Sequence, residues 1–126
     1  MENFYLEETS KTPKLSFNSE SGRFMMSGRS IPENSIEFYR PLFEWLDDYI
    51  VSPKPNTTFD IRLEYFNTSS SKCLVEIFRR LEKIKHTDVK INWFYEEDDE
   101  DMQESGEDFK EIIDIDIALQ IVPSED

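Results

Sequence analysis

The stretch Thr57-Thr58-Phe59-Asp60-Ile61-Arg62-Leu63-Glu64-Tyr65-Phe66-Asn67-Thr68-Ser69-Ser70-Ser71-Lys72 decides the fold. Its first part alternates: Phe59, Ile61, Leu63 and Tyr65 point one way, and Asp60, Arg62 and Glu64 point the other. A period of two marks a strand with one buried and one polar face. The alternation stops at Asn67, where four hydroxyl residues follow in a row. Asn, Thr and Ser side chains accept hydrogen bonds from the free amides of a first helical turn, so a helix is expected to start here. Cys73/Leu74, Ile77/Phe78, Leu81 and Ile84 then recur at three-to-four spacing, which is the stripe of an amphipathic helix. Lys83 and Lys85 are expected in its last turn, where cations complement the helix dipole.

The same reading extends in both directions. Asn3 to Glu8 suits a short strand, and Lys14 to Ser19 alternates with Leu15 and Phe17 on one side. A turn-rich Asn18-Ser19-Glu20-Ser21-Gly22 separates this from a strand over Gly22 to Gly28, giving a hairpin. Ile31-Pro32-Glu33-Asn34-Ser35 reads as a helix start, with Asn34 or a neighbour as the cap. Apolar residues follow at Phe38/Tyr39, Leu42/Phe43, Trp45/Leu46 and Tyr49/Ile50. Pro41 lies inside this stripe and removes a backbone donor, so it is expected to kink the helix or divide it. Two prolines between Ser52 and Asn56 end the helix. Val89, Ile91, Trp93 and Tyr95 mark a further strand. A helix from about Asp99 to Ile112 has a thin stripe of Met102, Phe109 and Ile112/Ile113. A last strand alternates Ile115, Ile117, Leu119 and Ile121 and is closed by Pro123.

The order β-β-β-α-β-α-β-α-β predicts an α/β fold: a mixed sheet, with helices gathered mainly on one face. With 126 residues and no internal repeat or linker, residues 1–126 are expected to form one domain.

Composition narrows the function classes. Hydrophobic residues make up 37% and aromatic residues 13%, enough for a packed core. A net charge of −14 repels a phosphate backbone and an anionic bilayer, which argues against nucleic acid as a partner. The stretch from Glu96 to Glu111 is strongly acidic, but its run EEDDED has neither the central Gly nor the ligand spacing of a calcium loop. It reads as a solvated loop and helix face. Cys73 is the single cysteine, so no internal disulfide forms. No apolar run approaches the roughly 20 residues a membrane span needs, and the start MENFYLEETS lacks a secretory pattern. A reducing cytoplasm is the expected compartment, without membrane insertion.

A catalytic reading finds little support. His86 is the only histidine and is expected to be solvated or capping at a helix end. Cys73 sits in an apolar stripe and reads as a buried small hydrophobe. These two residues do not build a zinc site, and the three glycines form no phosphate loop. Asp60 and Glu64 flank Arg62 on one strand, which suits surface pairing better than acid–base chemistry. No catalytic residue, cofactor or metal is assigned.

The hydroxyl cluster remains. Its plain reading is helix capping by Asn67, Ser69 and Ser70. A helix start also presents free amides and a positive dipole end. A phosphoryl group there adds roughly −1.5 to −2 charges, which Lys72 helps to screen. A partner packed on that surface would then face a buried charge.

At this point the sequence resembles a family. Arg62-Leu63-Glu64-Tyr65-Phe66-Asn67-Thr68-Ser69-Ser70-Ser71-Lys72 resembles the RLxYxNTSSxK signature of the SiaC-type regulatory phosphoproteins, and Pro32-Glu33-Asn34-Ser35 before the first amphipathic helix is a second family-like element. The resemblance implies a fold similar to STAS domains of anti-sigma factor antagonists. It implies that a dedicated kinase phosphorylates Thr68 and that a metal-dependent PP2C-type phosphatase removes the phosphate. It further implies that the unphosphorylated form binds and activates a diguanylate cyclase, raising cyclic di-GMP and favouring aggregation or biofilm growth. Arg62, Tyr65, Asn34 and Ser35 are expected to support the site or contact the partner. Pro41 and the acidic segment after Tyr95 depart from the family's pattern. A constitutive STAS-like adaptor or small-ligand module, indifferent to Thr68, is the alternative reading.

Overall fold

The computed structural model describes residues 1–123. Three strands come first: β1 (Phe4–Leu6), β2 (Lys14–Phe17) and β3 (Arg23–Ser30). Helices and strands then alternate through α1 (Ser35–Tyr49), β4 (Asn56–Phe66), α2 (Thr68–Leu81), β5 (Asp88–Glu96), α3 (Glu100–Ile112) and β6 (Asp116–Val122). This is the order read from the sequence.

All six strands form one mixed sheet in the order β1-β2-β3-β4-β5-β6. The first two pairings are antiparallel and the last three are parallel. Each crossover steps the same way along the sheet. Right-handed crossovers that never reverse direction place their helices on a single face. The packing agrees: Trp45 of α1 meets Phe17, Phe78 of α2 meets Phe59, and Phe109 of α3 meets Trp93. Phe24, Met26, Phe59, Ile61, Ile91, Trp93 and Ile117 are accordingly buried beneath the helices. The alternate residues Met25, Asp60, Arg62, Asn92 and Phe94 lie on the opposite, uncovered face.

Four details depart from the sequence reading. Of the two outcomes expected at Pro41, a kink or a division, the division does not occur: α1 runs unbroken from Ser35 to Tyr49. Pro41 is on the exposed side, where water can satisfy the carbonyl left without its donor. Second, α2 ends at Leu81, so Arg79 and Arg80 occupy its last turn and Lys83 and Lys85 lie beyond it. Bonds from Lys83 N to Arg80 O and from Ile84 N to Leu81 O tighten the chain there.

The third departure concerns Tyr65, expected on the buried face but 57% exposed. Gly28 pairs with Leu63 and Arg29 with Tyr65, so Glu64 is an extra residue in β4. This bulge reverses the alternation. Phe66 instead turns inward, 6.0 Å from the Trp93 ring and 6.2 Å from Phe109. Fourth, Ile112 and Ile121 are exposed although both were read as apolar-face positions. β6 is an edge strand, and Ile113 carries the buried end of the α3 stripe instead.

Helix α3 lies against the sheet through a residue with no side chain. A Cβ on Gly106 would stand 2.5 Å from Trp93 Cδ1 and 2.6 Å from Leu119 Cδ2. Trp93 also donates its indole N–H to the Met102 carbonyl at 2.9 Å. His86 is exposed and Cys73 is buried; burial pushes the Cys73 thiol pKa up. Among the described residues no helix is long and apolar enough to cross a membrane.

Candidate functional site

β3 and β4 run parallel and end side by side, with Ser30 opposite Phe66. Each strand gives way to an Asn-capped helix. Asn34 Oδ1 accepts from Glu37 N at 3.1 Å, and Asn67 Oδ1 accepts from Ser70 N at 2.9 Å. Both residues were expected at helix starts, and their caps bring the amide ends of α1 and α2 to one edge of the sheet. The Asn67 amide is itself tied to the Ser30 carbonyl at 3.1 Å.

A chain of hydroxyls fastens this edge. Ser30 Oγ lies 2.6 Å from the Tyr39 hydroxyl and donates to Ser70 Oγ at 2.7 Å. Ser70 Oγ donates to the Ser30 carbonyl at 2.9 Å. Each hydroxyl has one proton, so the Ser30–Ser70 bond requires Tyr39 to donate to Ser30. Burial pushes the Tyr39 phenol pKa well above its ordinary value, with the Ser30 hydrogen bond opposing, so the phenol keeps its proton. A second branch runs at the surface. Ser69 Oγ donates to Asn67 Oδ1 at 3.1 Å, which leaves Ser35 to donate to Ser69 at 2.7 Å. The two helix starts are thus joined through Ser35 and Ser69.

Thr68 stands out against this background. It is the first residue of α2, directly after the cap, and is exposed. Among the described residues its hydroxyl makes no hydrogen bond, while Ser69 and Ser70 are both engaged. The cap occupies the Ser70 amide, and Ser71 N bonds to Asn67 O. The amides of Thr68 and Ser69 have no partner inside the helix. Lys72 is exposed one turn further on, four residues from Thr68 and on the same helix face. A hydroxyl with free amides behind it and a lysine one helical turn away is a suitable place to carry a dianion.

The fold therefore gathers Asn34, Ser35, Asn67, Thr68, Ser69, Ser70 and Lys72 at one edge. Arg62 and Tyr65 are not part of that cluster. Arg62 is exposed on the uncovered sheet face, and the bulge turns Tyr65 outward. Sequence reading missed Ser30 and the hydroxyl role of Tyr39. The available signal was a serine at an inward position, in phase with Phe24 and Met26, and a tyrosine rather than a phenylalanine in the α1 stripe. Among the described residues, no His, Cys, Asp or Glu side chains cluster to hold a metal ion.

These features define a one-faced α/β module with an exposed hydroxyl at a strand-to-helix junction. The chain belongs to the SiaC family of regulatory phosphoproteins, whose profile matches residues 6–123. An uncharacterised protein of Pseudomonas aeruginosa (strain UCBPP-PA14) is 30% identical over 122 residues, spanning 95% of this chain and 97% of its own. The crystal structure of apo-SiaC from Pseudomonas aeruginosa superposes with a TM-score of 0.86 at 30% identity, covering 95% of this chain and 99% of that one. A chain from the crystal structure of the diguanylate cyclase SiaD in complex with its activator SiaC, also from Pseudomonas aeruginosa, gives a TM-score of 0.87 at 30% identity, covering 94% and 99%.

Proposed function

We propose that this chain is a non-enzymatic cytoplasmic regulator that binds and activates a diguanylate cyclase while Thr68 is unmodified. A dedicated protein kinase places a phosphate on Thr68, and a PP2C-type phosphatase removes it. Cyclic di-GMP output then follows the balance of the two enzymes.

The observation that carries this reading is the position of Thr68: exposed, unbonded among the described residues, and first in a helix whose leading amides are free. The family likeness to an activator seen in complex with a diguanylate cyclase supplies the partner class. Phosphate at Thr68 brings roughly −1.5 to −2 charges to a surface now occupied by neutral hydroxyls. Any partner atom packed there must then be desolvated against a dianion. Asn67, Ser69 and Ser70 hold the helix start, Lys72 screens the charge, and Asn34 and Ser35 set the neighbouring helix. Arg62 and Tyr65 contact the partner from outside the cluster.

Incubation with a candidate cognate protein kinase and ATP, read by intact-mass spectrometry, tests the modification. One added phosphoryl group is expected on the wild type and none on Thr68→Ala. Unchanged mass of the wild type, or modification of Thr68→Ala, overturns the assignment.

A further inference from the structure

The face of the sheet away from the helices holds a second feature. β4 and β5 pair in register only from Asn56↔Asp88 to Ile61↔Trp93. Both strands continue past this point, to Phe66 and Glu96, but no longer pair with each other. Beyond Trp93, β5 still pairs with β6, and β4 still pairs with β3. The sheet therefore splits between Arg62–Glu64 and Phe94–Glu96. A cleft of about 460 Å³ opens at the split.

Its lining is sharply biased. Glu8, Glu64, Glu96 and Asp99 bring four carboxylates, against the guanidinium of Arg62 and that of Arg29, which pairs with Glu64 at 3.2 Å; Asp99 also caps α3 through the Met102 amide. The carboxylates come from four separate segments: the chain after β1, β4, β5 and the cap of α3. The Glu8 carboxylate lies close over Gly28, where a Cβ would stand 2.8 Å from it. Leu63 and Phe94 add apolar surface. Carboxylates around an apolar wall suit a side chain with a methylene stem and a cationic head. Parallel strands are ordinarily covered on both faces, and here one face is bare.

We propose that this cleft receives an arginine- or lysine-bearing segment of a partner protein, entering between the splayed ends of β4 and β5. Charge complementarity selects this occupant. A second copy of the chain, with net charge −14, would bring the same acidic surface to the cleft. The cleft and Thr68 lie at the same carboxyl end of β4, so one partner can hold both. Docking in the cleft requires no phosphate and does not depend on the reading of Thr68.

The test is an amide-resolved NMR titration of the full chain with a twelve-residue peptide bearing arginine at alternate positions. An asparagine-for-arginine peptide is the control. Saturable shifts confined to the amides of Ser27, Gly28, Leu63, Glu64, Phe94 and Glu96 are expected. Glu8→Gln/Glu64→Gln/Glu96→Gln should weaken binding at least tenfold. Glu104→Gln/Glu107→Gln/Asp108→Asn on α3, which removes the same charge, should change it less than threefold. Equal weakening by both triples, shifts spread over the surface, or no saturation would overturn the proposal. Dispersed spectra of both variants confirm that they fold. Thr68→Asp should leave the titration unchanged, so the cleft and the phosphorylation reading fail separately.

Discussion

Replacing Ser70 by Ala tests whether the buried hydroxyl chain holds the site edge together. The side chain is fully buried and has two roles, accepting from Ser30 and donating to the Ser30 carbonyl. Its loss leaves the carbonyl one partner, the Asn67 amide, but leaves the buried Ser30 hydroxyl with no acceptor on that side. An unsatisfied buried donor costs about 1–3 kcal/mol, and Ala returns about 0.5 kcal/mol through helix propensity. The expected net destabilisation is therefore about 0.5–2.5 kcal/mol. Ser69→Ala, in the solvated branch, should cost less than about 1 kcal/mol. Urea unfolding followed by the fluorescence of Trp45 and Trp93 measures both: the midpoint should fall with an unchanged slope. The triple variant Ser30→Ala/Tyr39→Phe/Ser70→Ala removes donors and acceptors together, and should cost less than the three single changes added. A neutral Ser70→Ala, or strict additivity in the triple, would refute the hydroxyl chain.

Three further outcomes follow from the packing. Gly106→Ala should destabilise by about 1–3 kcal/mol through overlap with Trp93, despite a helix-propensity gain of about 1 kcal/mol; thermal unfolding reads the balance. Phe66→Ala should cost about 2 kcal/mol or more and Tyr65→Ala less than about 1 kcal/mol, the reverse of what uninterrupted alternation requires, as urea midpoints will show. Burial pushes the Glu82 carboxyl up, but the Asp114 amide and the Arg79 guanidinium outweigh it and hold its pKa below the ordinary value. A depressed folded pKa contributes stability above the unfolded carboxylate pKa and loses it as pH falls through the folded one. The stability gap between wild type and Glu82→Gln should therefore be largest near neutral pH and shrink below about pH 4, measured by urea midpoints across pH.

The element order was legible because strand and helix periods are distinct in this chain. Phe59-Asp60-Ile61-Arg62-Leu63 alternates without exception, and the α1 and α2 stripes are dense. Asn34 and Asn67 announced both helix starts, since an Asn before an apolar stripe caps free amides in either case. The bulge at Glu64 was not legible, because it depends on the neighbouring strand at Gly28, whose φ is +105°. Hence Tyr65 was assigned to the wrong face, and the inward turn of Phe66 went unread. The role of Gly106 was hidden for a similar reason: a glycine in a thin stripe declares its purpose only once Trp93 lies beneath it. Ser30 and Tyr39 looked like ordinary strand and helix residues until three elements converged.

The reading of Thr68 as a switch is tested most directly by calorimetry with a diguanylate cyclase partner and two forms of this chain, unmodified and stoichiometrically phosphorylated on Thr68. Affinity should fall about a hundredfold or more on phosphorylation, equivalent to about 2.7 kcal/mol. Equal dissociation constants for the two forms would contradict it.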